Sequence, residues 1–399
     1  MSLKFIKHVK IKKQNDVALK EVGSLVRVLG VDPGTFSFDV CGLENGKVYY
    51  EKVIPTIEIA KDPGKLIEGL EEAGKVDLIA GPSGYGVKVT YLKDVEDPEA
   101  FALNDLLLVR KEDIESAVKK GDIGIMVYHA MVRATVEMKK RDLPVCFIPA
   151  VIHLPTVPWY RKINKIDMGT ADKMCIAVLG VYDQSRRLSI DYSQVSFILV
   201  EMGFGYNAVI GVNNGRIVDG VGGTTGSMGF LTSGSLDAEL VQLVGKWEKS
   251  DVFTGGASAA AGVESPQELV ERAKEDDVCR SILEAMIEGV EKMVASMMVS
   301  VREPNEILLS GRLTRIKEIE EMLKERLSKY GEVRRIGWLE EVREVKEAAQ
   351  GYAMVADGLA GGVFKPLIEW MKIAEASGTS LDYIVHLGKS RTTIKPLTR

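Results

Sequence analysis

One pattern occurs in each half of the chain: an apolar run ends in a glycine turn and passes straight into a hairpin. In the first half, LVRVLGVDPGT at residues 25–35 leads into a second apolar run at 37–43, the pair Asn45-Gly46, and a third run at 47–54. In the second half, VSFILVEMGFG at 195–205 is followed by runs at 206–212 and 216–219 on either side of Asn213-Asn214-Gly215. Asn-Gly between alternating apolar residues is a strong hairpin signal, because the two-residue turn needs positive φ at both positions. Two such units predict a duplicated α/β fold with a cleft between the copies.

The remaining pattern fits that class. Strands are expected at 76–80 and 145–148, and helices at 113–120, 127–140 and from 169 to about 181, the last opening on small and acidic N-cap residues. Residues 264–300 carry helical periodicity throughout, and EILLSGR at 306–312 reads as a buried strand that breaks at a glycine. A basic-acidic amphipathic helix follows, and 342–360 closes the unit as a small-residue helix. Strands alternating with helices are the mark of the α/β class. A chain of 399 residues is too long for one core. The predicted division is an N-terminal arm at 1–23, domains at 24–190 and 191–347, and a closing helix with C-terminal helices at 348–399 that return to the first domain.

Composition removes several function classes. The net charge is −5, and no long basic run or basic-aromatic stripe is present, which argues against nucleic acid and membrane surfaces as partners. The basic N-terminal stretch lacks the apolar core of a signal peptide or a membrane span. Cys41, Cys146, Cys175 and Cys279 stand singly in apolar segments, so neither a zinc site nor a disulfide framework is expected, and a reducing, cytoplasmic setting fits. His8, His129, His153 and His386 lack metal-ligand spacing.

Three motifs carry chemistry. Asp32-Pro33-Gly34-Thr35 ends a strand in a glycine and a hydroxyl residue, which lets backbone N–H groups approach phosphate oxygens with no Cβ in the way. Asp32 beside such a turn suits Mg²⁺, usually through water. An ordinary β-turn uses the same residues. Glu201, Gly203 and Gly205 offer the same arrangement in the second half. Ser310-Gly311-Arg312 ends a strand in small residues that can lie flat against a purine.

The order and spacing of these motifs resemble the superfamily that joins actin, sugar kinases, heat-shock chaperone ATPases and acetate kinase. The resemblance implies two ribonuclease-H-like (actin-like) domains, with ATP and Mg²⁺ held in the cleft by two phosphate hairpins and an adenosine-binding strand. Ala348-Ala349-Gln350-Gly351 then resembles the start of the connecting helix that crosses the hinge.

Two further segments are similar to acetate and butyrate kinases, most closely to an archaeal butyrate kinase-like family. They are TGSMGFLTSGSLD at 225–237 and FIPAVIHLPTVP at 147–158. The resemblance implies phosphoryl transfer to a short-chain carboxylate. It places His153 on the active-site histidine of that family, and it places Pro149 where the family has its catalytic aspartate. An arginine-bearing stretch of the family has no counterpart here. Asp172 or Asp167 is then the expected carboxylate near the transferred group, and Lys173, Arg161 and Arg133 are candidate cations. Each has a plainer reading: a core histidine for His153, a solvated pair for Arg161 and Lys162, an ion-pair partner for Arg133, a helix-dipole acid for Asp172.

The glycine-rich loop at 81–86, around Tyr85, is expected to wall the substrate side or to be a simple connection. Trp370 and Met371 suit a homodimer surface or a face packed on the first domain. An ATP-binding switch without transfer is the competing expectation. A sugar kinase is less favoured, because no strand-end Asp is seen in an acceptor loop, and a nuclease needs a basic surface that the chain lacks.

Overall fold

A computed structural model describes residues 25–121 and 123–385, so the arm expected at 1–23 and the chain after 385, His386 included, lie outside the described residues. The first sheet contains β1 (Arg27–Pro33), β2 (Ser37–Glu44), β3 (Lys47–Pro55), β4 (Leu78–Ala80), β5 (Thr90–Tyr91) and β6 (Val145–Phe147) in the order β3-β2-β1-β4-β6-β5. The second contains β7 (Phe197–Met202), β8 (Asn207–Asn213), β9 (Arg216–Val221), β10 (Glu306–Ser310) and β11 (Glu332–Arg335) in the order β11-β10-β7-β8-β9. In both sheets the first three strands form an antiparallel meander, and the first strand is extended on its other side by parallel partners. The hairpins end at Asn45-Gly46 and Asn214-Gly215, all four residues at positive φ. The duplication legible in the sequence is therefore present in the topology.

Six helices matter to the site: α1 (Ile123–Lys140), α2 (Ala171–Leu188), α3 (Pro266–Arg272), α4 (Asp277–Met297), α5 (Lys317–Leu327) and α6 (Glu347–Leu359). Along β1, Val28 faces one core while Leu29 and Val31 face another, as the two-residue period of a strand requires. Helices α2 and α6 lie between the sheets. Their core takes Val28 and Cys41 from the first sheet and Phe197 and Leu199 from the second. Helix α1 covers the outer face of the first sheet, and α4 with α5 covers that of the second.

The small residues of α6 permit this close stacking. A Cβ on Gly351 would stand 2.1 Å from the carbonyl oxygen of Cys175 in α2, and one on Gly30 of β1 would stand 2.1 Å from the amide of Ala353. Any side chain at either point forces the layers apart.

Two expected elements differ. The periodic stretch at 264–300 is broken into α3 and α4, because the Asp276 carboxylate accepts from the amides of Val278 (2.9 Å) and Cys279 (3.2 Å) and so caps a new helix. Helix α6 begins at Glu347, not at 342. The preceding amides of Arg343 and Glu344 donate to the Glu51 carboxylate, and that of Lys346 donates to Asp39, so this stretch stays extended.

Trp370 and Met371 are both used inside the chain. Met371 is buried in the core between the sheets, and the Trp370 indole donates to the Asn214 carbonyl (3.0 Å) under the Arg216 guanidinium. Of the two uses expected for these residues, packing within the chain is the one observed. All four cysteines are buried and unpaired. Among the described residues no helix is long and apolar enough to cross a membrane.

Candidate active site

The first glycine turn closes β1 onto β2 through the Gly34 amide, which donates to the Ser37 carbonyl (3.0 Å). A Cβ on Gly34 would stand 2.7 Å from that carbonyl and 2.5 Å from the Lys346 Nζ, so only glycine fits. Asp32, 4 % exposed, sits at the strand end with its Oδ2 2.8 Å from the Lys346 ammonium. The same ammonium is 3.5 Å from Asp39 and donates to the Ser37 carbonyl (3.3 Å). Burial pushes the Asp32 carboxyl up to about 6 against the opposing pull of Lys346. Lys346 itself is held above its ordinary value: burial works against the charge, and Asp32 and Asp39 outweigh it.

The second turn belongs to β7 and β8. Glu201 is buried with its Oε2 3.4 Å from the Lys173 ammonium and without a hydrogen bond. Lys173 lies in the first turn of α2 and also binds Asp172 at 2.5 Å, while the Thr170 hydroxyl donates to the other oxygen of Asp172. Burial raises Glu201 to about 7, only partly offset by Lys173. Burial also pushes Asp172 up, but the charge and hydrogen bonds of Lys173 and Thr170 prevail and hold it below its ordinary value. Lys173 is raised, because its two carboxylate neighbours outweigh its burial.

The strand end of β10 completes this wall. Ser310 is buried and its hydroxyl has no hydrogen-bond partner. Gly311 has φ of 93°, and a Cβ there would lie 2.4 Å from the Met202 carbonyl, inside the second turn. Arg312 stands over the Phe36 ring (5.1 Å), and Phe36 meets Phe204 edge-on at 5.5 Å, joining the tips of the two turns. Arg315 donates to both Glu347 oxygens at 3.0 Å.

These groups line one cavity of about 440 Å³ between the sheets. Asp32, Gly34, Thr35, Asp172, Lys173, Glu201, Gly203, Gly205, Ser310, Gly311 and Arg312 all face it, as does Asp167. His153 and Arg161 do not line it. His153 is 1 % exposed; its Nδ1 accepts from the Ala150 amide (3.1 Å), and burial lowers it to about 4, so it is a neutral core histidine. Arg161 donates to the Val218 carbonyl (2.8 Å) and lies 3.6 Å from Asp219, tying the first half to β9. Its neighbour Lys162 is buried on the Leu154 carbonyl (2.8 Å), so the pair is not solvated. Arg133 donates to the carbonyls of Ala60 and Lys61 and caps a short helix.

Sequence reasoning missed Lys346, Glu347 and Arg315. Their only signal was position, since residues just before a connecting helix must reach the mouth of the cleft. Tyr85, in the glycine-rich loop expected to wall the substrate side, lines the same cavity, and sequence reasoning missed Tyr128 and Phe253 beside it. There the Lys249 ammonium lies 4.9 Å from the Tyr85 centroid and 5.1 Å from that of Phe253, donates to the Tyr85 hydroxyl (3.3 Å), and is lowered to about 8 by burial. Asp167 accepts from the Gly169 amide (2.7 Å), and burial raises it.

The arrangement suits a nucleotide phosphate chain. It supplies a first glycine turn that a Cβ would block, a second with glycine at 203 and 205, an unpartnered buried serine hydroxyl at the strand end, and ammonium groups beside the turns. No group of three or more acid, histidine or cysteine side chains among the described residues forms a metal shell alone. Mg²⁺ needs none, since it takes one or two carboxylates and completes its shell with water and phosphate. Asp32, whose carboxyl lacks enough positive charge to stay at its ordinary value, fits that role.

No curated protein matches the sequence. The crystal structure of a propionate kinase from Francisella tularensis subsp. tularensis SCHU S4 is similar over 82 % of this chain and 98 % of that chain, at 14 % identity and a TM-score of 0.54. The acetate kinase of Entamoeba histolytica is similar over 76 % of this chain and 87 % of that chain, at 12 % identity and a TM-score of 0.52. For the acetate kinase of Porphyromonas gingivalis the figures are 75 %, 86 %, 14 % and 0.51. At these identities the likeness establishes the fold, an α/β pair of actin-like domains. The sequence model of one family matches residues 30–386, and the chain accordingly belongs to the family described as protein of unknown function DUF1464.

Proposed function

We propose that the protein is an ATP-dependent phosphotransferase whose acceptor is a small carboxylic acid. One observation carries the proposal: Asp32 and Glu201 at two glycine turns from opposite sheets, Asp172 and Lys173 at the start of α2, and Lys346 before α6 line a single cleft with Ser310 and Gly311. The carboxylate acceptor rests on the resemblance of 147–158 and 225–237 to acetate and butyrate kinases.

A carboxylate is already ionised near neutral pH, so the reaction needs positioning and charge neutralisation more than a base. The acceptor oxygen attacks the γ-phosphorus. The bond from that phosphorus to the β,γ-bridging oxygen breaks, and ADP leaves with the electron pair; no proton moves. Lys173, fixed between Asp172 and Glu201, is placed to neutralise charge spreading over the transferred group. Lys346 does the same at the first turn. Bound Mg²⁺ would neutralise the phosphate chain, with Asp32 orienting its waters. Acids outnumber cations along the cavity, which makes this counter-charge a requirement of the site.

A second reading, an ATP-binding or ATP-hydrolysing regulator without transfer, is favoured by the placement of His153 and Arg161 away from the cavity. ADP release measured with Mg-ATP and a panel of carboxylates, hydroxy acids and sugars separates the two. Stimulation by a carboxylate is expected. Slow hydrolysis indifferent to every acceptor contradicts transfer and leaves the regulator.

A further inference from the structure

One stretch of the cavity wall is apolar and aromatic. The loop at 81–86 presents Tyr85, α1 presents Val127, Tyr128 and Met131, and the second half contributes Phe253. Tyr128 and Phe253 stack at 5.8 Å with 21° between their planes, and Tyr206 meets Phe253 edge-on at 5.5 Å. Burial holds the phenols of Tyr85 and Tyr128 above their ordinary values, so both remain hydrogen-bond donors. Lys249 fastens the segment that carries Phe253 to the first domain, through the Tyr85 hydroxyl and the Leu108 carbonyl (3.3 Å each). The compartment is thus built from both halves. Asp167, Thr170 and Lys173 line the same cavity.

We propose that this compartment is the acceptor site, and that it takes a carboxylic acid with an aromatic or branched apolar body, not a two-carbon acid. The inference rests on the phosphotransferase reading above. Acetate brings one methyl group to a wall of rings and leaves most of it without contacts. A phenyl or six-carbon body covers the apolar lining of Val127, Met131 and the stacked Tyr128–Phe253 pair, with its carboxylate toward Lys173. Each buried methylene contributes about fourfold in affinity, so a six-carbon acid is expected to exceed acetate in kcat/KM by about two orders of magnitude. The step is the one already written: the carboxylate oxygen bonds to the γ-phosphorus, ADP departs with the electron pair, and an acyl phosphate forms.

The test is an initial-rate series on the full chain with Mg-ATP and acetate, butyrate, hexanoate, phenylacetate and 2-phenylethanol. Saturation-transfer NMR of phenylacetate binding in Mg-ADP accompanies it. Phenylacetate or hexanoate preferred about a hundredfold over acetate supports the proposal. Met131→Trp, which fills the space, is expected to lower kcat/KM for phenylacetate at least tenfold, and Met131→Ala to move the preference toward longer acids, so one variant suffices if the other does not fold. Acetate preferred, or a size preference that neither variant moves, overturns the proposal. Preference for 2-phenylethanol overturns the carboxylate head as well. If nothing is phosphorylated, the transfer reading fails, and phenylacetate binding that Met131→Trp abolishes still supports the compartment, whereas no binding overturns it.

Discussion

The ammonium of Lys346, at the start of α6, lies 2.8 Å from the Oδ2 of Asp32, at the end of the first strand. One contact therefore couples the helix between the sheets to the first glycine turn. Removing the cation alone leaves Asp32 and Asp39 buried without it. Lys346→Met is expected to lower stability by about 3 kcal/mol. Asp32→Asn in the same chain is expected to restore part of that loss. Urea unfolding of the two single variants and the double variant measures the coupling; additive losses would contradict it.

Glu201 gives the metal-free protein a pH dependence. Its carboxyl is raised by burial from an ordinary 4.5 to about 7, so the folded state binds its proton more tightly than the unfolded state. Its contribution to stability is fully present below about 4.5 and is lost as pH rises through 7. The loss amounts to about 3 kcal/mol. Denaturant midpoints from pH 4.5 to 8 in a chelator are expected to fall more steeply for the wild type than for Glu201→Gln. Parallel profiles would contradict the account.

Phe36 and Phe204 form an edge-to-face clasp across the mouth of the cleft, with Arg312 over the outer ring. Phe36 is 57 % exposed, so its loss spares the core. Phe36→Ala is expected to speed release of a fluorescent Mg-ADP analogue about tenfold in stopped-flow mixing, from one aromatic pair and one cation–π contact. An unchanged release rate would remove the clasp from nucleotide retention.

His153 is a structural residue on this reading. His153→Ala leaves the buried Ala150 amide without its acceptor and is expected to cost about 2 kcal/mol of stability. The KM values for ATP and acceptor are expected to stay within twofold at a temperature where the variant is folded. A thousandfold fall in kcat without loss of stability would return His153 to the chemistry.

The readable part of the site was the part written in local sequence. Strands ending at Asp32, Glu201 and Ser310 announce themselves through apolar runs cut by glycine, and Asn45-Gly46 fixes its hairpin. The small residues around Gly351 marked a helix in close contact. Lys346, Lys249 and the rings around Phe253 were not legible, because each acquires its role from a partner far along the chain: Asp32, Tyr85 and Tyr128. His153 carried two readings for the converse reason. A histidine in an apolar segment has the same local pattern whether its ring turns to a cleft or, as here, back to its own loop at Ala150. The break at Asp276 was hidden because its cap replaces helical hydrogen bonds without disturbing the apolar period.

The most direct test is ³¹P NMR of one mixture containing the protein, Mg-ATP and phenylacetate. The account predicts an acyl phosphate resonance growing in equal amount with ADP, abolished when Mg²⁺ is chelated and strongly reduced in Lys173→Met. Growth of inorganic phosphate alone, at a rate independent of phenylacetate and of every other acid tried, would contradict it.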